Sequence, residues 1–503
     1  MLDARIVLDP ERTIGTVDRR LFGSFVEHLG RAVYNGIYEP GHPTADERGF
    51  RADVLALVRE LGVTTVRYPG GNFVSSYRWE DGIGPRSERP RRIDLAWHSV
   101  ETNEVGTDEF AAWARDAEVE LMLAVNLGTR GIEAAVDLLE YTNVRSGTHF
   151  SDLRAANGSP EPYDVRMWCL GNEMDGPWQV GYTDADSYGR LAAQTARAMR
   201  RVDEELELVL CGSSKPTMPT FGQWERVALT HAYDVVDYIS CHAYYEELDG
   251  DRLSFLASGV SMDRFIDAVA ATADQVRAEL SSAKVMQISF DEWNVWYNRR
   301  FHREDKITDP HEWPYAPRLL EDQYSVVDAV VVGGLLISLL NHSDRVRAAS
   351  LAQLVNVIAP IMTEPGGPAW RQTIFFPFAD AARMSGSVAL DLRIDSPTHG
   401  TELYGEVNTV DAAATLDATG GISLFLVNRS EHPVTVAIQC GGDGMTEILE
   451  ATGIWDDDPT ASNTLEAPER VGPQVNPTVR IESGALHAVL PPISWTAVRA
   501  SSG

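Results

Sequence analysis

Short apolar runs alternating with helix-period segments organise the first three-quarters of the chain. Residues 4–9 alternate apolar and polar positions and stop at Pro10, which reads as a short strand. From residue 21 onward, eight strand-like runs follow at 21–26, 63–68, 120–126, 165–170, 207–211, 236–241, 285–290 and 348–354. Helical patterns at 52–61, 107–117 and 325–340 fall between them. Strands spaced by helices argue for a parallel sheet, and eight of them match a (β/α)8 barrel. The pattern changes after Met384. Short strands at 387–394, 401–410, 422–427, 434–439, 445–450, 479–482 and 485–490 are separated by Gly, Asn, Asp and Pro turns. This predicts an α/β fold in two parts. Residues 17–384 form a (β/α)8 TIM barrel, and residues 385–503 a jelly-roll-like all-β sandwich joined by the strand within residues 1–16.

Several barrel runs end in polar side chains: Glu27-His28, Asn72, Asn126, Asn172-Glu173, His242 and Tyr244, Glu292, and Gln353. Chemistry in barrel enzymes sits at the C-terminal ends of the strands. The fourth run stops abruptly in Gly171-Asn172-Glu173, and the seventh runs into Asp291-Glu292. In one parallel barrel, Glu173 and Glu292 point into a single pocket. Either glutamate alone reads as a cap or a surface acid; the pair is the equipment of a glycosidase. In a retaining glycosidase one carboxylate attacks the anomeric carbon while the other protonates the leaving oxygen, then activates water.

The remaining candidates surround that pair. Arg67 is placed to keep a nucleophile ionised. Glu27, Asn72, Asn172 and Gln353 offer short polar tips to sugar hydroxyls. Trp97, Trp296 and Tyr244 offer flat faces to sugar C–H groups. His28 and His242 lack ligand spacing, so they are expected as hydrogen-bonding imidazoles, with no metal and no cofactor. Long loops at 73–108 and 295–319 would overhang the pocket as walls.

Composition narrows the setting. The 503-residue chain has a formal charge of −31, which argues against nucleic-acid or anionic-membrane partners. The longest apolar run, residues 329–340, is short of the ~20 residues that span a bilayer. The first residues lack an apolar signal core, so a cytoplasmic enzyme is expected. Cys169, Cys211, Cys241 and Cys440 show no Cys-x-x-Cys spacing and read as buried free thiols.

Together these motifs carry a resemblance. Gly171-Asn172-Glu173-Met174-Asp175-Gly176 and Asp291-Glu292-Trp293-Asn294-Val295-Trp296 resemble glycoside hydrolase family 51, the α-L-arabinofuranosidases of clan A. The stretches 25–31, 67–73, 97–104 and 351–356 are similar too, so the likeness spans nearly the whole chain. The resemblance implies Glu173 as acid/base and Glu292 as nucleophile. It also implies furanose contacts from Glu27, Asn72, Asn172, Tyr244 and Gln353, no metal, and a homo-oligomer, often a hexamer. Val26 before Glu27 departs from the usual pattern, and Ala243 stands at a variable position; both bear on substrate choice alone. The implied substrate is a terminal α-L-arabinofuranosyl residue on an arabino-oligosaccharide. A relative of altered specificity (β-xylosidase, endoglucanase or galactofuranosidase) is the alternative within enzymes. A catalytically silent carbohydrate-binding protein is the alternative outside them.

Overall fold

Eight parallel strands close into a barrel in simple chain order. The computed structural model describes residues 2–442 and 444–502. Numbering from the N-terminal strand β1 (Leu2–Thr16), the ring consists of β2 (Gly23–Phe25), β3 (Thr65–Tyr68), β4 (Glu120–Ala124), β5 (Met167–Leu170), β6 (Glu207–Leu210), β7 (Tyr238–Tyr245), β8 (Gln287–Val295) and β9 (Val346–Leu351). Its interior is filled, not open: Met122, Ala124, Met167, Cys169, Val209, Tyr238 and Ala348 pack together inside it.

Three departures from the expected bounds shape the barrel mouth. The first strand is shorter, because Leu21 and Phe22 lie in a 3-10 turn (Arg19–Phe22) whose first free amide, that of Arg20, is capped by the Asp18 side chain. The last strand stops at Leu351, leaving Gln353 just beyond it. Strands β7 and β8 are longer than expected. They keep pairing past the rim, with Glu292 opposite His242 and Asn294 opposite Tyr244. Polar residues that read as strand ends therefore lie within strands.

The apolar helix Val326–Asn341 shows why its sequence has no polar stripe. It begins with a capping box in which Asp328 accepts from the Ser325 amide at 2.7 Å, and Val326 through Leu340 are all buried. One side packs on the barrel and the other on the C-terminal sheet. Gly333 sits where a Cβ would meet the Trp495 ring at 2.4 Å, so the ring can lie directly on the helix backbone.

That sheet holds ten strands in one ladder. It runs β15 (Gln474–Val475), β14 (Met445–Ile454), β18 (Ser494–Ser502), β12 (Gly421–Asn428), β11 (Val410–Leu416), β10 (Val388–Asp395), β1, β13 (Val434–Cys440), β17 (Ala485–Leu490) and β16 (Arg480–Glu482). It curls until β14 meets β16 across a core of Ile6, Leu8, Leu390, Leu424, Val436, Leu486 and Val498. Strand β1 pairs antiparallel with β10 and parallel with β13, inside the sheet. The expected strand at 401–410 is instead a separate hairpin, Thr398–Thr401 with Gly405–Asn408, followed by β11. The run Ala412-Ala413-Ala414 hid β11 because alanine carries little strand preference. Strand β18 lies beyond the last strand the sequence pattern predicts. Cys440 corrects the buried-thiol expectation: it ends β13 half-buried, while Cys169, Cys211 and Cys241 are buried.

Candidate active site

Strand β8 carries Glu292 by breaking its own alternation. Ser289 and Asp291 face the same way, and the Ser289 hydroxyl donates to the Asp291 carboxylate. A register shift between Ser289 and Glu292 against β7, matched by one against β9, marks a bulge. The bulge turns Glu292 into the mouth as well, so neighbouring residues reach one interior. Glu292 accepts from Arg67 Nη1 at 3.0 Å and from the Tyr244 hydroxyl at 2.7 Å. Burial pushes its carboxyl up, but the charges of His242 and Arg67, with the Tyr244 and Arg67 hydrogen bonds, outweigh burial and hold it below the usual glutamate range.

Arg67 is itself fixed. It donates to Asn172 Oδ1 at 2.6 Å and to the Cys169 sulfur at 3.4 Å. Asn172 passes the chain on, its Nδ2 donating to Asn72 Oδ1 at 3.2 Å.

Glu173 lies three residues past β5, after Gly171 (φ +94°), and itself adopts a left-handed φ of +45°. A glutamate held there is a strained position of the kind that clusters at functional sites. Its Oε2 accepts from Trp178 Nε1 at 2.7 Å, and its Oε1 lies 3.0 Å from His242 Nδ1. The same His242 nitrogen is 3.5 Å from Glu292 Oε2, so one imidazole bridges the two carboxylates. Burial pushes His242 down, but Glu292 and Glu173 reverse that and raise it above the usual histidine value.

Glu27 closes the other wall. The Phe73 amide and Trp97 Nε1 both donate to its Oε1 at 2.8 Å, and Gln353 Nε2 donates to its Oε2 at 3.1 Å. Burial drives its carboxyl up to about 8 despite the Phe73 and Trp97 hydrogen bonds. Gly70 makes the close approach possible: at φ +102°, a Cβ there would lie 2.4 Å from the Glu27 Cβ.

Glu27, Asn72, Glu173, Trp178, Tyr244, Glu292 and Gln353 line one cavity of about 700 Å³, together with Trp296, whose ring meets Tyr244 edge-on at 5.1 Å; Arg67, Asn172 and His242 bond to these residues from behind. Both long loops contribute walls, through Trp97 and His98 on one side and Phe301 and Lys306 on the other. The structure thus brings together Glu173, Glu292, Arg67, Glu27, Asn72, Asn172, His242, Tyr244, Gln353, Trp97 and Trp296. It leaves out His28, which bonds the Tyr68 hydroxyl behind the wall, and Asn126, which ties down its own loop. Trp178 and Asp94 are not marked by the sequence patterns. Trp178 follows Gly176-Pro177 and reads as loop; Asp94 sits in a surface-like polar stretch, yet it is buried and accepts from the Ala96 and Trp97 amides at 2.9 and 3.2 Å.

One oxygen from each of Glu173 and Glu292 and a His242 nitrogen lie within 4.8 Å of one another, a spacing that could hold a metal ion. The donor chemistry fits poorly. These carboxylates already accept from Arg67, Tyr244 and Trp178, and a cation would stand beside the Arg67 guanidinium.

Comparison with known proteins places this geometry in a family. The α-L-arabinofuranosidase 1 domain matches residues 57–254, and the α-L-arabinofuranosidase C-terminal domain matches residues 291–494. The intracellular exo-α-(1→5)-L-arabinofuranosidase of Streptomyces lividans is 56% identical over 99% of this chain and 75% of its own. The exo-α-(1→6)-L-arabinofuranosidase of Bifidobacterium longum is 55% identical over 99% and 97%. The solved structure of a family 51 α-L-arabinofuranosidase from Bifidobacterium longum superimposes with a TM-score of 0.95 at 52% identity, covering 99% of this chain and 100% of its own. With identity of this order along its whole length and the same barrel-plus-sheet fold, the chain belongs to glycoside hydrolase family 51, the α-L-arabinofuranosidases.

Proposed function

We propose that Glu292 is the nucleophile and Glu173 the acid/base of a retaining exo-α-L-arabinofuranosidase. It removes terminal non-reducing α-L-arabinofuranosyl residues from arabino-oligosaccharides, fragments of arabinan, arabinoxylan or arabinogalactan. The observation that carries this reading is the unequal treatment of the two carboxylates. Glu292 has a guanidinium and a phenol bonded to it; Glu173 has an indole N–H and the shared His242 imidazole. Their closest oxygens lie within 4.8 Å, nearer the ~5–5.5 Å of double displacement than the ~6.5–9.5 Å that leaves room for water in inversion.

In the first step Glu292 attacks the anomeric carbon, and Glu173 gives its proton to the departing oxygen. Negative charge leaves Glu292 as the ester forms and appears on Glu173; His242, within reach of both, faces it throughout. In the second step Glu173 takes a proton from water, which attacks the ester and returns charge to Glu292. Glu27, Asn72, Asn172, Tyr244 and Gln353 hold the furanose hydroxyls, with Trp97 and Trp296 against its C–H faces.

The working unit is cytoplasmic and a homo-oligomer, with the barrel at 17–384 as the catalytic part and the sheet at 385–503 as its appendage. A panel of nitrophenyl glycosides tests the activity. Turnover of the α-L-arabinofuranoside far above the β-D-xylopyranoside and β-D-galactofuranoside supports it; equal turnover contradicts it.

A further inference from the structure

The cavity continues past the two carboxylates, and part of its far wall is not barrel. Beyond Glu173 it is lined by residues 214–217 after β6, by the segment after β7 that includes Asp251 and Phe255, and by Leu403 and Tyr404. Those last two form the tip of the hairpin that leaves the C-terminal sheet between β10 and β11.

The tip is fastened to the barrel. The Leu403 amide donates to Ser254 Oγ at 3.1 Å, and Arg264 Nη2 donates to the Tyr404 carbonyl at 3.4 Å. The Arg264 guanidinium also lies 5.8 Å from the Tyr404 ring centre. Within the tip, Thr401 Oγ1 donates to the Gly405 carbonyl at 2.9 Å and accepts from the Tyr404 amide at 3.0 Å. Held this firmly, Leu403 is still 58% exposed at the cavity edge. Anchoring a leucine in water gives the fold no apolar burial; it does give a ligand an apolar surface.

The acid sets the direction in which substrate runs. A leaving oxygen must lie against the Glu173 carboxyl, so the departing sugar begins beside Trp178, which donates to Glu173. The Lys215 ammonium stands 5.4 Å over the Trp178 ring and lines the same cavity as the hairpin tip. It is one of only three lysines in the chain. We propose that Leu403 and Tyr404, facing Lys215 and Phe255, form a distal subsite for the leaving-group side of the substrate, taking the second or third sugar beyond the bond that is cut. Leu403 and Tyr404 offer faces for sugar C–H groups, and Lys215 offers a donor to ring hydroxyls. The appended sheet thereby selects for oligosaccharides over short glycosides. This inference rests on Glu173 being the acid.

The test compares kcat/KM for a series of α-L-arabinofuranosyl di-, tri- and tetrasaccharides with that for nitrophenyl α-L-arabinofuranoside. In the unaltered protein kcat/KM should climb with chain length. In Leu403→Gly and in Tyr404→Ala, the ratio of tetrasaccharide to nitrophenyl kcat/KM should fall by about tenfold, the scale of one or two lost contacts. Lys215→Met should lower the same ratio. The variants lie on an exposed tip and loop, and the nitrophenyl rate in each preparation reports that the barrel is folded. A ratio unchanged in all three variants, or no gain with chain length in the unaltered protein, overturns the distal subsite while leaving the arabinofuranosidase reading intact. Failure to cleave any arabinofuranoside, whatever its length, would overturn that reading instead.

Discussion

Glu292 and Glu173 are the same side chain in two different neighbourhoods, and the neighbourhoods separate their roles. On the Glu292 side three groups that stabilise negative charge, Arg67, Tyr244 and His242, converge on one carboxylate, and Arg67 is locked in turn by Asn172 and Cys169. On the Glu173 side the partner besides His242 is Trp178, a residue 46% exposed at the cavity rim, and the backbone itself is bent into a left-handed turn. The first environment suits a group that must stay ionised until it attacks. The second suits a group that must trade a proton with a leaving group and then with water. On the proposed assignment, two identical carboxylates become nucleophile and acid/base through their partners, with no difference in their own chemistry.

Breaking the Glu292 side should cost most. Glu292→Ala is expected to abolish turnover, since no glycosyl ester can form. Added azide should then enter from the vacated face and give the inverted glycosyl azide, which NMR of the product distinguishes from the retained one. Loosening that side should be milder. Tyr244→Phe removes one hydrogen bond to an ionised group, worth ~1.5–3 kcal/mol. Tyr244 helps hold the Glu292 carboxyl down, so its loss should lift that carboxyl, and the acidic limb of kcat/KM should move to higher pH. An acidic limb that stays in place would show that Tyr244 does not govern this ionisation.

On the Glu173 side, Trp178→Phe keeps a ring but loses the N–H. A loss of a few-fold to ~tenfold in kcat/KM on oligosaccharides is expected, from one hydrogen bond of ~1 kcal/mol or somewhat more. A loss as large as that of Glu292→Ala would mean the indole acts in the chemistry itself.

Glu27 offers a smaller and different reading of the same pocket. Its buried carboxyl is raised to about 8, so between the ordinary 4.5 and about 8 the folded chain binds a proton that the unfolded chain has released. Stability should therefore fall as pH rises through that window. Thermal unfolding of Glu27→Gln should show a flatter decline between pH 5 and 8 than the unaltered protein; parallel curves would contradict the raised value. Dialysis against a chelator should leave the rate unchanged, and a loss restored by zinc would reverse the account of the His242 cluster.

Much of this was legible before the fold was known. Period-two and helical patterns locate the eight barrel strands, and the polar residues closing them mark the mouth. Composition and pairing cannot reveal the bulge in β8, because it depends on how β8 meets β7 and β9. For the same reason His242 and Tyr244 read as residues beyond a strand when they are within one. Trp178 was hidden behind Gly176-Pro177, a turn signal that says nothing of where the next ring goes. The alanines mask strand β11, and the hairpin at Leu403 reads as one strand, so the contribution of the sheet to the cavity is invisible in the sequence.

The division of roles is tested most directly by Glu173→Ala on two leaving groups. A sugar alkoxide needs a proton to depart, whereas a dinitrophenolate barely does, and general acid help is worth ~10²–10⁴-fold. The variant should lose most of its activity on arabino-oligosaccharides and far less of its first-step rate on dinitrophenyl arabinofuranoside. With no base for the second step, a burst of dinitrophenol should appear as the glycosyl-enzyme accumulates. Azide, which needs no deprotonation, should release that intermediate as the glycosyl azide of retained configuration. Equal impairment on both leaving groups, with no burst and no response to azide, would contradict the assignment of Glu173 as acid/base.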